Sequence, residues 1–519
     1  TTATCRSSGR WTLPSMFPII DPRLLELFNT IQSLAGEQPV YLVGGAVRDL
    51  LLGQNPKDLD FVIPAGSIPL AKAVKKALHG VWYALDDERQ TARVLQGPGT
   101  EQERILDFVS FTGTTLEEDL RHRDYTVNAM AVLLSDPQTL IDPLNGKEAL
   151  NSGILRVAST ESILLDPLRA LRSIRLIRKF HLKPDAETSS LISAGAAGLP
   201  LVSGERIRDE LFKLLEIPDF AESLRLMHEM QLLKPIFPHI EQIFTLEAVP
   251  PHVHDLWEHT LQAVLYLETL IGGANPNLPR DLTGSNLQDV LEYLQPYQQE
   301  ISSNLNLPLQ ADRKRRSLLL LAMLYHDLGK PASRQPMPDG RFHFREHPGK
   351  SSGLVVDLCS RMLFGAEEAK YLQLMVAQHM RIHNLASPRN PLTRRAIYRY
   401  FQELGTFGVD LALLSLADTL AAKENTLEPT TWQWELDITM HLIDAWYAKQ
   451  SEVINPPKLL DGEDLKSRFG LKPGPLLGVL LASLREAQAE GHVSTEQEAL
   501  AFCQELIEAK SKESDHAAE

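Results

Sequence analysis

Residues 42–60 read Leu-Val-Gly-Gly-Ala-Val-Arg-Asp-Leu-Leu-Leu-Gly-Gln-Asn-Pro-Lys-Asp-Leu-Asp, and no other stretch of the chain says as much about its fold. An apolar run that ends at Val43 predicts a short strand, and Gly44 and Gly45 predict a tight turn into a helix. A second apolar run follows residue 60. The pattern therefore predicts a strand-turn-helix-strand unit.

Two aspartates, Asp58 and Asp60, introduce the second strand of this unit. Side chains two residues apart share one face of a strand, so the two carboxylates repel each other unless a cation lies between them. A pair of magnesium ions that promotes nucleotidyl transfer needs this arrangement. The glycine turn and Arg48 suit a triphosphate. A Gly-Gly turn or an Asp-x-Asp pair alone is common in structural loops, but their combination favours the functional interpretation.

The composition is that of a multidomain protein with ordinary packed cores. Of the 519 residues, 43% are hydrophobic, and no apolar run approaches the ~18 residues of a membrane span. Cys5, Cys359 and Cys503 are far apart, which predicts a reducing compartment. We expect a cytoplasmic protein, or an organellar one if residues 1–15 are the remnant of a transit peptide. The net charge of −15 does not exclude nucleic-acid binding, because a local basic stripe is sufficient.

The glycine turn and the aspartate pair together resemble the signature of the class II nucleotidyltransferases, Gly-Gly-x-Val-Arg-Asp followed by Asp-x-Asp. This family comprises the tRNA CCA-adding enzymes and the bacterial poly(A) polymerases. The resemblance implies that Gly44, Gly45 and Arg48 hold the triphosphate of the incoming nucleotide. It also implies that Asp58 and Asp60 bind catalytic magnesium.

A second family motif lies at residues 122–128, which read His-Arg-Asp-Tyr-Thr-Val-Asn. They resemble the family's Arg-Arg-Asp-Phe-Thr-x-Asn, which implies that Arg123, Asp124 and Asn128 contact the sugar and phosphates of the nucleotide. A helix start with Asp124 or Thr126 as its cap is the structural alternative. Asp107, in a predicted strand, is a candidate third catalytic carboxylate, with an ordinary strand-edge aspartate as the alternative.

Asp166 and Arg169 belong to a stretch that resembles the family's Glu-Asp-x-x-Arg motif, with Leu165 in the place of the glutamate. The resemblance implies that these two side chains hydrogen-bond the Watson–Crick edge of the incoming base. Residues 203–211 resemble the family's Ser-x-Glu-Arg-Ile-x-x-Glu-Leu. We interpret that segment mainly as helix capping and an internal ion-pair network.

Arginines recur every three residues along the following segment, at Arg169, Arg172, Arg175 and Arg178, and residues 167–184 contain no acid. On a helix they form one slowly drifting stripe. Without acidic partners on the same segment, such a stripe is expected to bind RNA phosphates. A merely solvated helix face is the alternative.

A second set of histidines and aspartates lies in the C-terminal part of the chain. It resembles the metal ligands of the HD phosphohydrolase superfamily, which implies a divalent metal of unknown identity. A structural or tRNA-supporting function of this region is the alternative. The candidate ligands are His259, His326, Asp327, His347, His379 and Asp418.

We predict an α+β fold, in which a small N-terminal nucleotidyltransferase head (a mixed sheet with helices) precedes a long all-α body that includes an HD domain. The expected segments are a disordered leader at 1–15, the head at 16–145, a helical neck with the base-recognition and RNA-binding segment at 146–249, the HD domain at 250–430 and a C-terminal helical tRNA-binding module at 431–519.

The resemblance implies a tRNA 3′-end nucleotidyltransferase that adds C and/or A residues from CTP and ATP to immature or damaged tRNA, with Mg²⁺ at the head. The segment 111–116 is shorter than in full CCA-adding members, which favours CC addition and a separate A-adding enzyme as partner. The alternatives are a poly(A) polymerase and a metal-dependent HD phosphohydrolase with phosphodiesterase or phosphatase activity. No membrane partner is expected.

Overall fold

The computed structural model forms two compact units, one of residues 1–217 with 225–236 and one of residues 218–224 with 237–519. The predicted leader at 1–15 lies outside the described residues, and the five-segment division stays a prediction. The residues described are 16–18, 21–86, 90–100, 103–247, 254–272, 285–338, 342–385, 391–423 and 429–516.

A seven-stranded mixed sheet forms the framework of the first unit. Its strands are β1 (Tyr41–Val43), β2 (Asp58–Ile63), β3 (Val81–Asp86), β4 (Thr91–Gln96), β5 (Arg104–Ser110), β6 (Ala131–Leu133) and β7 (Asp136–Ile141). Their order across the sheet is β3-β4-β5-β2-β1-β6-β7. Only the β2–β5 pair is parallel, and every other neighbouring pair is antiparallel.

Side chains along β2 alternate between two cores. Phe61 and Ile63 are buried in the larger core of the unit, whereas Val62 belongs to a smaller cluster on the opposite face. Asp58 and Asp60 have the parity of Val62, so their carboxylates lie on the face of the smaller cluster. The alternation therefore keeps both carboxylates out of the main core.

Helices pack on the sheet and continue beyond it in the first unit. The helices of this stretch of the chain are α1 (Pro22–Ala35), α2 (Gly45–Leu51), α3 (Ser67–Leu78), α4 (Leu116–Arg121), α5 (Gly146–Asn151), α6 (Ser162–Leu165), α7 (Leu168–Phe180), α8 (Ala186–Gly195), α9 (Gly204–Leu215), α10 (Phe220–Glu229) and α11 (Leu233–Ile236). Two short strands, β8 (Ile154–Leu155) and β9 (Lys183–Pro184), pair in parallel, and a 3-10 helix covers Thr126–Asn128.

In the residues that the structure describes, the regular structure of the second unit is helical apart from two short hairpins. Its helices are α12 (Leu256–Gly272), α13 (Ser285–Leu294), α14 (Gln298–Leu305), α15 (Arg315–Tyr325), α16 (Lys330–Ser333), α17 (His347–Arg361), α18 (Ala366–Gln378), α19 (Arg381–Leu385), α20 (Arg394–Leu404), α21 (Phe407–Lys423), α22 (Pro429–Tyr447), α23 (Gly462–Phe469), α24 (Pro475–Glu490) and α25 (Glu496–His516). The hairpins are β10 (Pro308–Gln310) with β11 (Arg313–Lys314), and β12 (Gln335–Pro336) with β13 (Phe342–His343). The predicted α+β architecture is confirmed.

Membrane crossing was tested on the described helices alone. No single described helix is long and apolar enough to span a bilayer. Among these helices, only α20 and α21 taken together have the length and apolar composition of a membrane span, and their axes differ by 109°.

Candidate active site

Three aspartates lie together on β2 and β5. Asp60 is directly opposite Asp107 in the parallel pair, and Asp58 precedes Asp60 by two residues on the same face. Burial raises the pKa of Asp60 to about 6; the charge of Arg123 opposes this rise, and the charges of Asp107 and Asp58 add to it. The site therefore concentrates negative charge that a cation would relieve.

Asp107 differs from the other two aspartates in its partner. Its carboxylate accepts two hydrogen bonds from Arg93, at 2.7 Å from Nε and 2.7 Å from Nη2. This bidentate pair neutralises Asp107 and fixes its orientation. Asp58 and Asp60 supply the hard oxygen donors that a divalent cation of the magnesium type prefers, so the donor set fits such a metal.

Gly44 is the point where the backbone comes closest to this site. Its φ is +74°, and a Cβ there would lie 2.8 Å from Nη1 of Arg123 and 3.0 Å from Oδ2 of Asp60. Only glycine satisfies both the backbone conformation and the close approach. The turn thus brings the Arg123 guanidinium next to the Asp60 carboxylate.

Arg48 is buried within α2 rather than exposed to solvent, with 5% of its surface accessible. Its Nη1 donates to Oδ1 of Asn128, its Nε donates to Oδ1 of Asp49 at 2.9 Å, and its guanidinium carbon lies 4.0 Å from the centre of the Phe180 ring. In this structure Arg48 links α2 to Asn128. Its contact with a triphosphate stays a prediction.

Asp124 is the centre of a buried polar network. It accepts hydrogen bonds from the Tyr125 backbone N–H at 2.8 Å, from Nδ2 of Asn128 at 3.0 Å and from Nη1 of Arg172 at 3.0 Å. Burial alone would raise the pKa of Asp124, but the charge of Arg172 and these hydrogen bonds lower it. The ionised carboxylate holds Asn128 in place, and its predicted contact with the nucleotide stays a prediction.

The arginine stripe lies on α7, and its expected lack of acidic partners is wrong. The buried carboxylate of Glu210 on α9 lies 3.8 Å from Nε of Arg172 and 2.5 Å from Nε of Arg175. Arg178 is half-buried at the end of the same helix. Glu210 is remote in sequence from the stripe, so inspection of the segment alone could not reveal it. RNA binding by Arg172, Arg175 and Arg178 stays a prediction.

Asp166 and Arg169, the predicted base-recognition pair, have different partners in the structure. Nη2 of Arg206 donates to Oδ2 of Asp166 at 2.8 Å, whereas Nε of Arg169 lies 4.0 Å from the same oxygen. Arg169 instead donates to the carbonyl oxygens of Arg123 at 3.0 Å and His122 at 2.8 Å. The contact between Arg206 and Asp166 could not be predicted from the sequence, because the two residues are forty positions apart.

In the second unit, the structure brings together all six predicted HD ligands. Within the described residues their ligand atoms form two overlapping groups, each with atoms within 4.8 Å of one another, and all six residues are buried. The groups share Asp327, whose Oδ2 lies 3.2 Å from Nε2 of His326 and whose Oδ1 lies 3.1 Å from Nε2 of His347. The first group is His259, His326, Asp327 and Asp418, and the second is Asp327, His347 and His379.

The orientation of the histidines fits a metal. Nδ1 of His326, His347 and His379 each lies 2.6–2.8 Å from the carbonyl oxygen three residues earlier, so each ring directs Nε2 towards the cluster. In the described part of the chain, Nε2 of His326 and Oδ1 of Asp327 are buried without a hydrogen-bond partner, whereas Oδ2 of Asp327 forms an ion pair with Nζ of Lys330. Buried polar atoms of this kind are expected to have a ligand, and imidazole with carboxylate suits a divalent transition metal.

A cleft of about 870 Å³ opens beside the cluster. His347 and Asp418 line it, together with the cationic side chains of Lys330, Arg345 and Arg381. Its size is that of a site for a nucleotide-sized molecule. Two of the six predicted metal ligands thus line a cleft that contains both basic side chains and the acidic side chains of Glu403 and Glu435.

Two family descriptions match consecutive parts of the N-terminal half of the chain. "Poly A polymerase head domain" matches residues 40–156, and "Probable RNA and SrmB- binding site of polymerase A" matches residues 181–244. The first range contains the three aspartates and the Gly44 turn.

Known proteins resemble the chain over most of its length. The A-adding tRNA nucleotidyltransferase of Deinococcus radiodurans is 32% identical over 90% of this chain and 95% of its own. The CC-adding tRNA nucleotidyltransferase of Thermus thermophilus is 32% identical over 89% of this chain and 92% of its own. The Thermotoga maritima CCA-adding enzyme, solved with tRNA, has the same fold, with a TM-score of 0.58 and 21% identity over 94% of this chain and 96% of its own. The chain therefore belongs to the class II tRNA nucleotidyltransferases, a family of template-independent nucleotide-adding enzymes.

Proposed function

We propose that this protein adds C residues to the 3′ end of tRNA and leaves the terminal A to a separate enzyme. The observation that carries the proposal is the placement of Asp58 and Asp60 on one face of β2, with the Arg123 guanidinium beside Asp60 at the Gly44 turn. Two carboxylates and a guanidinium therefore lie together in a chain of this family, which supports the proposed binding of metal and phosphate there. The tRNA, CTP and ATP that relatives act on or bind are the expected partners.

In the proposed reaction, the 3′-hydroxyl of the tRNA attacks the α-phosphorus of the nucleotide, and pyrophosphate leaves. Asp58 and Asp60 would hold Mg²⁺, which when bound activates the attacking oxygen and stabilises the leaving oxygens. Arg123 binds the triphosphate beside them. Asn128, which donates a hydrogen bond to Asp124, contacts the nucleotide. Arg93 holds Asp107 in a fixed orientation, so that its carboxylate lies beside the proposed metal-binding pair.

The proposal of CC addition rests on the segment between β5 and α4. The backbone N–H of Thr112 donates to Oδ1 of Asp119 at 3.0 Å, and the N–H and hydroxyl of Thr114 donate to Oε2 of Glu118 at 2.6 and 2.9 Å. The Thr115 side chain caps α4. A segment that is both short and hydrogen-bonded to the next helix cannot change the base-binding pocket from one that accepts C to one that accepts the larger A. Binding of a single base is therefore favoured.

The test is incorporation of labelled CTP into a tRNA transcript that ends at the discriminator base. Asp60→Asn should reduce incorporation by more than about 100-fold, because the metal loses a charged oxygen ligand. Asp136→Asn is the matched control, since Asp136 is an exposed aspartate on β7 of the same sheet, and it should retain wild-type activity. Full activity in Asp60→Asn would refute the proposal.

We also propose a metal-dependent phosphohydrolase activity in the second unit, because six candidate ligand residues form two overlapping groups and two of them, His347 and Asp418, line an adjoining cleft. A metal bound there supplies an activated water and neutralises phosphate charge. Asp327→Ala should abolish hydrolysis of phosphate esters and leave CTP incorporation intact. Hydrolysis that persists in Asp327→Ala would exclude this site as its source.

A further inference from the structure

Two rows of paired residues cross the sheet of the first unit, from the proposed metal-binding aspartates to the edge strand β3. Directly paired residues on neighbouring strands place their side chains on the same face of a sheet. The first row runs from Asp60 through Asp107 and Arg93 to Tyr83, and the second runs from Asp58 through Ile105 and Leu95 to Val81. Each row spans three strand spacings, or about 14 Å.

The half of this face that carries the two rows ends in exposed side chains, whereas the other half is covered. Beyond the aspartates, on the side of β1, Val43 and Val62 are buried in the smaller cluster together with Leu120 of α4. On β3, by contrast, Tyr83 is 38% exposed and Val81 is 48% exposed. The aspartates therefore lie at the border between a covered half and an exposed half of one sheet face.

The opposite face of β3 is packed, so this strand is anchored to the sheet. Trp82, which lies between Val81 and Tyr83 in the sequence, packs against the main core, and Nζ of Lys72 on α3 lies 4.9 Å from the centre of its ring. Edge strands usually carry charged side chains that keep other molecules away. At positions 81 and 83 the exposed face of β3 carries an aliphatic and an aromatic side chain instead, which is typical of a surface that binds a ligand.

Unpaired RNA is the ligand whose chemistry fits this surface. Exposed aromatic side chains on an open sheet stack on unpaired bases, and the stacking tolerates any base because every base has a π-face. Arg93 lies between Tyr83 and the aspartates. Its Nε and Nη2 donate to Asp107, and its guanidinium has further N–H donors that suit a phosphate. An aromatic and a cationic side chain thus follow one line that ends at Asp60.

We propose that Tyr83 stacks on an unpaired base near the 3′ end of the tRNA, upstream of the hydroxyl that reacts, and that Arg93 contacts the intervening phosphate. The proposal rests on the proposed transfer of nucleotides to tRNA, and it adds a binding surface for the strand that is extended. A second copy of this chain, paired through the edge of β3, is the competing occupant. RNA is favoured because both rows lead to the metal-binding aspartates, and a contact between copies needs no such alignment.

The experiment compares the binding of two tRNA transcripts in Mg²⁺ without CTP or ATP. One transcript keeps its unpaired 3′ end up to the second C, and the other stops at the last paired nucleotide of the acceptor stem. The ratio of their dissociation constants isolates the contribution of the unpaired end. Tyr83→Ala should reduce this ratio by about 5- to 150-fold, because stacking on one base is lost. The ratio is internal to each variant, so a partial loss of folded protein cancels.

Two control variants complete the design. Tyr83→Phe retains the ring and should retain the wild-type ratio. Leu34→Ala should retain it as well, because Leu34 is similarly exposed, at 40%, but lies on α1, which packs on the main core at the other face of the sheet.

A wild-type ratio in Tyr83→Ala would overturn the proposal. A wild-type protein that sediments as a dimer, and that Tyr83→Ala converts to a monomer, would also overturn it, since β3 would then be a contact between copies. Because the binding assay contains no nucleotide, its result is separate from catalysis. The expected loss of binding in Tyr83→Ala, together with a wild-type protein that incorporates no CTP, would support the stacking and contradict the proposed transfer alone.

Discussion

Asp60 lies directly opposite Asp107 on adjacent parallel strands, and the charge of Asp107 adds to the burial that raises the pKa of Asp60 to about 6. The folded protein therefore binds a proton at Asp60 more tightly than the unfolded chain does. The ionised carboxylate destabilises the fold above pH 6, and this cost disappears as the pH falls below the ordinary aspartate range. A divalent cation at the site would offset the same cost.

Asp60→Asn should stabilise the metal-free protein at pH 8. Two pKa units correspond to about 3 kcal/mol, and partial solvent exposure reduces the expected gain to about 1–2 kcal/mol. Urea unfolding in EDTA measures the effect on the transition of the first unit. The gain should be absent near pH 4, where Asp60 is protonated in the folded wild-type protein. A variant that is less stable than wild type at pH 8 would contradict the electrostatic argument.

Gly44→Ala should abolish activity, whereas Gly36→Ala should not. Both glycines have positive φ, +74° and +63°, so both substitutions strain the backbone by about 1–3 kcal/mol. Only the Cβ at Gly44 collides with Arg123 and Asp60; the space around Gly36 is open. The measurement is kcat/KM for CTP beside the melting temperature of each variant. Equal losses of activity would show that strain alone, and not the close approach, accounts for the effect.

Glu210→Gln should destabilise the first unit by about 3 kcal/mol. Glu210 is 4% exposed and neutralises Arg172 and Arg175, so its loss leaves two partly buried cations without their shared partner. Urea unfolding measures the change, and Glu216→Gln, at the exposed residue that follows α9, is the control. An unchanged free energy of unfolding would mean that water solvates the charges of these arginines as well as Glu210 neutralises them.

His326→Ala should remove metal from the second unit without affecting nucleotidyl transfer. Its Nε2 is directed into the cluster by the hydrogen bond between Nδ1 and the Met323 carbonyl oxygen. Elemental analysis of the purified protein after dialysis against divalent metals gives the metal content directly. The exposed His441, whose Nδ1 bonds to the Asp437 carbonyl oxygen, supplies the matched control His441→Ala. Equal metal content in both variants would argue against the site.

The sequence was most informative where the chemistry depends on local spacing. The alternation of apolar residues in β2 and β5 predicted those central strands and the shared face of Asp58 and Asp60. The edge strands β3 and β7 were hard to predict from the sequence. Many of their side chains are exposed, and buried and exposed residues do not alternate regularly along them.

Partners that are remote in sequence could not be predicted. Arg93 reaches Asp107 from a neighbouring strand, Glu210 reaches the arginine stripe from α9, and Arg206 reaches Asp166 across forty residues. Each of these contacts depends on how the elements pack against each other. The residue pattern within either element alone therefore does not predict it. Resemblance to the HD superfamily, by contrast, named six ligands that the fold does bring together.

The most direct measurement uses three tRNA transcripts, which end at the discriminator base, after one C and after CC. Each is incubated with the protein, Mg²⁺ and labelled CTP or ATP, separately and together. We expect two C additions to the first transcript, one to the second, and no addition of C or A to the third. Addition of A after CC would contradict CC-only addition, long A tails would indicate a poly(A) polymerase, and no incorporation would contradict nucleotidyl transfer to tRNA.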